Sequence, residues 1–322
     1  MAGTSRTPRK SSRSAISLHA ALVARRFYLD GLQKNDIADE FGVSRFKVAR
    51  LLDEAKAAGI VRIYVDMPSD VDVELGERLA SEYGLRHALV TRVPSESPQS
   101  ADIMMASLAA DYVMSSLSPD DVLGISWGTS VAQVVDEIDV LPAVDIVQMV
   151  GGVRSSALDT NGTELVRRLS HVGRGRAFPL MAPLLVDSAT TATALRTEAA
   201  VSQAMNQFDR LTMALVGIGS WNPARSSLMS ELTSVDREAL VAAGAVADVS
   251  AVVLGASGEP VNSTVATRTL AISFEQLQAI PTVVAVAGGV DKTAAVKATL
   301  ASGMVDVLVT DSVVATKILA PK

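Results

Sequence analysis

The sequence predicts an α/β fold: an N-terminal helix-turn-helix, winged-helix-like unit followed by a Rossmann-like, mostly parallel α/β domain. Three observations carry this. Beyond about residue 72, short apolar runs alternate with helical stretches, the pattern of strands covered on both faces and joined by crossovers. The first 62 residues hold 12 Lys and Arg against 6 Asp and Glu, a head of +6 on a 322-residue chain whose formal net charge is −6. Such asymmetry is expected when one domain alone meets a polyanion. The stretch "NDIADEFGVSRFKVARLLDEA", Asn35 to Ala55, puts small, glycine and apolar residues where two helices joined by a tight turn need them.

Residues 1–16 are basic and Ser-rich without an apolar segment, which reads as a disordered arm rather than a secretory signal. Residues 17–66 form the expected DNA-binding domain. Its first helix, about 18–30, has Leu22, Phe27 and Leu29 as the inward set, and Gly31 stops it. A second helix runs from about Lys34 to Phe41 and a third from Ser44 to about Ala58, with Gly59 after it. "IVRIYV", 60–65, alternates like a strand. Pro68 and the acidic residues after it mark the boundary.

Residues 67–322 form the expected effector-binding domain. Its strands are expected at 87–92, 121–126, 144–150, 211–218, 245–254, 282–287 and 305–310. Its helices are expected at about 72–84, 101–117, 128–138, 161–171, 189–208, 235–243, 273–279 and 291–302. With hydrophobic residues at 48% and aromatics at only 4%, the core is aliphatic. The chain has no cysteine, which excludes disulfides, thiolate metal sites and cysteine nucleophiles and fits a reducing, cytoplasmic setting. No run of about 18 apolar residues predicts a membrane span.

In the head, small Ala38 lets two helices approach, Gly42 takes the turn, and Ser44 caps the third helix. The N-terminal residues of that helix then enter the DNA major groove. They are Ser44, Arg45, Phe46, Lys47 and, a turn later, Arg50; Lys34, which opens the preceding helix, joins the set of DNA contacts. Two readings stay open for Phe46, packing on a thymine methyl or filling the core.

In the body, several loops follow predicted strands, where open α/β sheets bind ligands. Gly128, Thr129 and Ser130 sit between strand and helix, where backbone N–H groups and hydroxyls suit a phosphate. Gly151 and Gly152 close a strand, Arg154 offers a fork for an anion, and Asn161 offers an amide at a helix start. Gly217 and Gly219 allow close backbone approach but lack the third glycine of a dinucleotide fingerprint. Asp248 stands in an apolar strand, either as a structural carboxylate or as a holder of ligand hydroxyls. Gly288 and Gly289 follow another strand, and Lys292 lies where a helix starts, a mildly unfavourable site for a cation lacking an anionic partner. Collected at one sheet edge, these groups suit a small polyhydroxylated, phosphorylated molecule. No cofactor and no metal is expected, since His19, His87 and His171 are scattered.

The motifs "IADEFGVSRFKVARLLDEAKAAGIVRI", "LGISWGTSVAQVV", "VQMVGGV", "APLLVDS", "ALVGIGS", "GAVADV", "VAGGVDKTAAVKATL" and "VDVLVTD" follow in unbroken order from about Leu18 to Leu319. In this the chain resembles the SorC-type sugar-responsive transcriptional regulators of bacteria. The resemblance implies a head that binds double-stranded operator DNA. It also implies a sugar-binding domain related in fold to ribose-5-phosphate isomerase and glucosamine-6-phosphate deaminase. It further implies a homodimer or homotetramer whose operator affinity changes with a sugar, polyol or sugar phosphate. On that pattern the Gly128–Ser130 and Gly288–Lys292 loops face the effector, while Arg154 falls in a variable part. The rival expectation is a sugar-phosphate isomerase or deaminase with a DNA-binding appendage, for which Asp291, Lys292 and Asp248 are the acid–base candidates.

Overall fold

The structure, a computed structural model, describes residues 18–63, 70–93, 98–153 and 160–320. The expected arm at 1–16, the end of the expected strand at 60–65 and Arg154 lie outside these residues. The chain divides into two compact units, 1–67 and 68–322, each described by itself.

The first unit is helical: α1 (Leu18–Tyr28), α2 (Lys34–Phe41) and α3 (Arg45–Ala57). Its core is Ala20, Val23, Ala24, Ile37, Ala38, Val48, Leu51, Leu52 and Ala55. Gly42 takes φ +61°, a left-handed turn that bulkier residues resist, and the Val43 N–H closes it on the Ala38 carbonyl at 2.9 Å. The Ser44 hydroxyl accepts the Lys47 N–H at 3.2 Å and so caps α3. Arg26 ties α1 to α2 through Glu40, at 2.7 and 2.9 Å, and holds Asp30 at 3.0 Å.

Two expectations for this unit need correction. The buried face of α1 is the small set Ala20, Val23 and Ala24, and of the expected inward residues Phe27 alone packs against that core. Leu22 is exposed, and Leu29 lies beyond the last residue of α1, also exposed. Residues 60–63 form no strand, so no wing strand is present among the described residues.

The second unit is built on a seven-stranded parallel sheet in the order β1-β10-β9-β5-β2-β3-β4. The strands are β1 (His87–Thr91), β2 (Val122–Ile125), β3 (Asp145–Gln148), β4 (Ala177–Phe178), β5 (Met213–Gly217), β9 (Thr282–Val286) and β10 (Val307–Asp311). Strand alternation divides the core. Met213, Leu215, Val284 and Val286 join one layer with α5 (Pro98–Ser116), α6 (Thr129–Glu137) and α7 (Gly162–Gly173). Ala214, Val216, Val283 and Ala285 face the other way, onto α4 (Val73–Tyr83), α9 (Ala199–Met205), α12 (Phe274–Ala279), α13 (Thr293–Ala301) and α14 (Ser312–Leu319). A small antiparallel sheet, β6 (Gly219–Ser220), β7 (Ala247–Val249) and β8 (Val252–Leu254), follows the end of β5. The remaining helices are α8 (Ala189–Thr197), α10 (Ser234–Ala242) and α11 (Thr264–Arg268).

The strand expected at 245–254 is therefore a hairpin outside the parallel sheet. Its turn residues Ser250 and Ala251 take φ +49° and +69°, and neither is a residue that announces such a turn. The helix expected over 189–208 breaks at Glu198, whose ψ of 135° is extended, and α9 begins anew. The expected helix at 291–302 is a 3-10 turn over Val290–Lys292 followed by α13.

Candidate functional site

Chain reversal in the sheet creates the site. From β2 the chain steps outward to β3 and β4, and it then returns to lay β5 on the opposite side of β2. The loops leaving β2 and β5 diverge at that point, which opens a crevice at the carboxyl ends of the strands.

A cavity of about 100 Å³ occupies the crevice. The β2 loop contributes Ser126, Trp127, Gly128, Thr129 and Ser130; the β5 side contributes Gly217, Ile218 and Gly219. The arm after β6 adds Arg225 and Ser227, the hairpin adds Asp248, Ser250 and Ala251, and the turn after β9 adds Lys292. At about 30 Å³ per water the volume holds a few water-sized groups. That suits one polar head of a ligand.

The lining is polar by construction. Gly128 takes φ +107°, a conformation open to glycine, and this turns the chain into α6 so that the first-turn N–H groups face outward. The Ser250 hydroxyl bonds the Ser126 hydroxyl at 3.1 Å, fixing the hairpin turn to the β2 loop. Gly219 pairs with Asp248 across β6 and β7, and a Cβ on Gly219 would stand 2.3 Å from Oδ1 of Asp248. This glycine therefore makes room for the carboxylate.

Asp248 is buried, and burial pushes its pKa above the usual carboxylate range. Hydrogen bonds from Ser226 and Trp221 and the charge of Lys292 act the other way. Trp221 Nε1 donates to Oδ1 at 3.0 Å. Lys292, half-buried, has its pKa lowered by burial; the Asp248 and Asp102 charges raise it, and Arg225 lowers it further. Arg225 donates to Oδ2 of Asp291 at 3.1 Å, and Ser220 donates to the Asp291 carbonyl at 3.3 Å.

Of the expected effector contacts, Gly128, Thr129, Ser130, Gly217, Gly219, Asp248 and Lys292 converge on this cavity. Others do different work here. Gly151 donates its N–H to the Leu270 carbonyl at 2.9 Å, and Gly152 donates to the Ala182 carbonyl at 2.8 Å. A Cβ on Gly151 would sit 2.7 Å from the Pro183 backbone, so that glycine serves chain-to-chain packing. Asn161 caps α7 by accepting the Thr163 N–H at 2.9 Å. Gly288 packs on Met105, and Gly289 donates its N–H to Asp311. Trp127 is both buried and cavity-lining. Ser126, Arg225, Ser227 and Ser250 were not expected. Ser126 lies within the motif "LGISWGTSVAQVV", two residues before Gly128, whereas Arg225 and Ser250 gave no local pattern.

None of the three histidines lines the cavity. Among the described residues no cluster of His, Asp or Glu is arranged to hold a metal ion.

In the head, Ser44, Arg45, Phe46, Lys47 and Arg50 are all exposed at the start of α3. The core alternative for Phe46 is removed, since 87% of it is exposed. The Lys34 ammonium stands 5.7 Å from the centroid of the Phe27 ring, a cation–π distance.

Residues 68–320 match the protein family described as "Putative sugar-binding domain". The transcriptional regulator LsrR of Enterobacter sp. (strain 638) is 29% identical, over 93% of this chain and 92% of that protein. The deoxyribonucleoside regulator of Bacillus subtilis (strain 168) is 25% identical, over 89% and 93%. The full-length sorbitol operon regulator SorC from Klebsiella pneumoniae superposes with a TM-score of 0.72 over 94% of this chain and 98% of that one, at 23% identity, which speaks to the fold. The chain belongs to the "Putative sugar-binding domain" family, in the SorC-type arrangement in which a helix-turn-helix head precedes that domain.

Proposed function

We propose that this chain is a transcriptional regulator that binds operator DNA through α3 and binds a small polyhydroxylated anion, a sugar or polyol phosphate, in the switch-point cavity. One observation carries the effector half. Two cationic side chains, Lys292 and Arg225, several hydroxyls and a buried carboxylate converge on one small cavity. Cations and the α6 N-terminus suit an anionic group. Asp248 suits hydroxyl donors. The head supplies the DNA half, with its +6 charge and a capped helix whose first turn is exposed.

The site is a switch rather than a catalyst in this reading. Asp291 is engaged by Arg225, and no histidine reaches the cavity. The relatives are named as regulators. Residues 17–66 read DNA; residues 67–322 bind effector and hold a homodimer or homotetramer, in the cytoplasm. Two heads then engage half-sites about one DNA turn, or a multiple, apart. An effector that favours one arrangement of the heads changes operator affinity by a coupling of about 1–3 kcal/mol.

The test is thermal melting against sugars, polyols and their phosphates, followed by operator binding with the best compound. A ligand of the native state raises the melting temperature. Operator affinity then shifts about 5–150-fold at fixed salt. No melting shift with any compound, or turnover of a sugar phosphate that is lost in Asp291→Asn, overturns the reading.

A further inference from the structure

Phe46 is the most exposed of the large apolar side chains among the described residues, at 87%. A single exposed apolar residue is ordinary on a protein surface. Its position is what makes this one informative. Ser44 caps α3, so Arg45, Phe46 and Lys47 form the first helical turn. The opposite face of α3 already fills the head core with Val48, Leu51, Leu52 and Ala55. Phe46 therefore contributes nothing to folding of the head.

Its neighbours define what can cover it. Arg45, Lys47 and Arg50 are exposed, and among the described residues none of the three takes part in an ion pair, whereas Arg26 on α1 is bound by Glu40 and Asp30. An apolar ring flanked by these exposed cations fits a polyanion that carries an apolar spot. The DNA major groove has one such spot, the 5-methyl group of thymine. Resting on the operator-binding reading above, we propose that Phe46 is a specificity-determining residue whose ring packs against a thymine methyl in each operator half-site.

Deoxyuridine tests this directly, because it removes the methyl and leaves the base-pair hydrogen bonds. Full-length protein is given a duplex selected from a random pool at fixed salt. Each thymine of a half-site is then replaced singly by deoxyuridine. The expected result is a loss of roughly 3–10-fold at one position, the size of returning one buried methyl to water. Phe46→Ala, which leaves the head core intact, abolishes the discrimination between thymine and uracil there. Its slope of affinity against salt is unchanged, since no phosphate contact is lost. Phe46→Leu keeps part of the discrimination.

A selected duplex with no thymine in its half-site overturns the assignment. So does a wild type indifferent to uracil at every position, or a Phe46→Ala variant that weakens binding equally on selected and random DNA. In those cases the DNA-binding reading survives. Failure to prefer any duplex over random DNA defeats that reading and this inference together.

Discussion

The indole N–H of Trp221 donates to the carboxylate of Asp248 across 3.0 Å, and both side chains are buried. The bond gives Asp248 a structural role and a site role at once. Asp248→Ala strands a buried N–H, and we expect a loss of about 1–3 kcal/mol in urea unfolding. Asp248→Asn keeps an acceptor for the indole and removes the buried charge. Its effect also carries a pH signature. Because burial raises the folded pKa of Asp248, the native state binds this proton more tightly than the unfolded state. The ionised group therefore costs stability at neutral pH, and the cost is relieved as pH falls through the raised pKa. The gap between wild type and Asp248→Asn should narrow over that descent; a pH-independent gap would contradict the assignment.

Lys292 gives the opposite limb. Burial lowers its pKa from the usual 10.5, so the ammonium is lost at lower pH than in an ordinary lysine. An anionic effector needs that ammonium and raises its pKa on binding. Affinity for a sugar phosphate should therefore fall on the alkaline side, beginning below 10.5, while affinity for a neutral polyol changes less. Lys292→Met should weaken the phosphate by about 1.5–3 kcal/mol, the range for a hydrogen bond to a charged group. Fluorescence titration serves as the readout, because the chain's two tryptophans, Trp127 and Trp221, line the cavity or bond to a residue that does.

Much of this site was legible from strand-to-loop spacing. The loops after β2, β5 and β9 follow long apolar runs, and a parallel sheet gathers such loops at one edge. Gly128, Gly219 and Lys292 were found that way. Gly151, Gly152, Gly288 and Gly289 follow strands too, yet a Cβ on Gly151 or Gly288 would meet Pro183 or Met105, and Gly289 serves a left-handed turn at φ +87°; sequence does not distinguish these uses of glycine from one that admits a ligand. Arg225 and Ser250 were invisible for a different reason. They come from the arm and hairpin inserted after β5, whose path depends on tertiary packing. In α14 a signal was present and unread: Asp311 accepts the N–H groups of Val313 and Val314, both at 2.8 Å, as an N-cap.

Gly219 isolates the cost of crowding Asp248. A Cβ there would stand 2.3 Å from the carboxylate, which could give way only by loosening its bond from Trp221. Gly219→Ala should destabilise the body by about 1–3 kcal/mol, as overpacking does, and should lower effector affinity with it. Gly217→Ala is the control. Its Cβ would meet only Val131 at 3.7 Å, an ordinary contact, and stability should stay near wild type. Equal losses in the two variants would show that room beside Asp248 is not what Gly219 provides.

Arg225 and Asp291 set the last prediction, which concerns competition. Arg225 lines the cavity while bonded to Asp291 at 3.1 Å, and both side chains are substantially exposed. Exposed pairs of this kind are worth about 0–1 kcal/mol, so the bond is weak enough to be exchanged. A phosphate in the cavity offers Arg225 a more highly charged partner, and bidentate geometry favours the guanidinium. Asp291→Asn removes the competitor. It should tighten a sugar phosphate by up to about fivefold, the equivalent of roughly 1 kcal/mol. Arg225→Ala should weaken the same ligand, and neither change should alter binding of a neutral polyol. Calorimetric titration of the three proteins with a phosphorylated and an unphosphorylated sugar separates the cases. If Asp291→Asn binds the phosphate more weakly than wild type does, Asp291 orients Arg225 for the effector instead of competing with it.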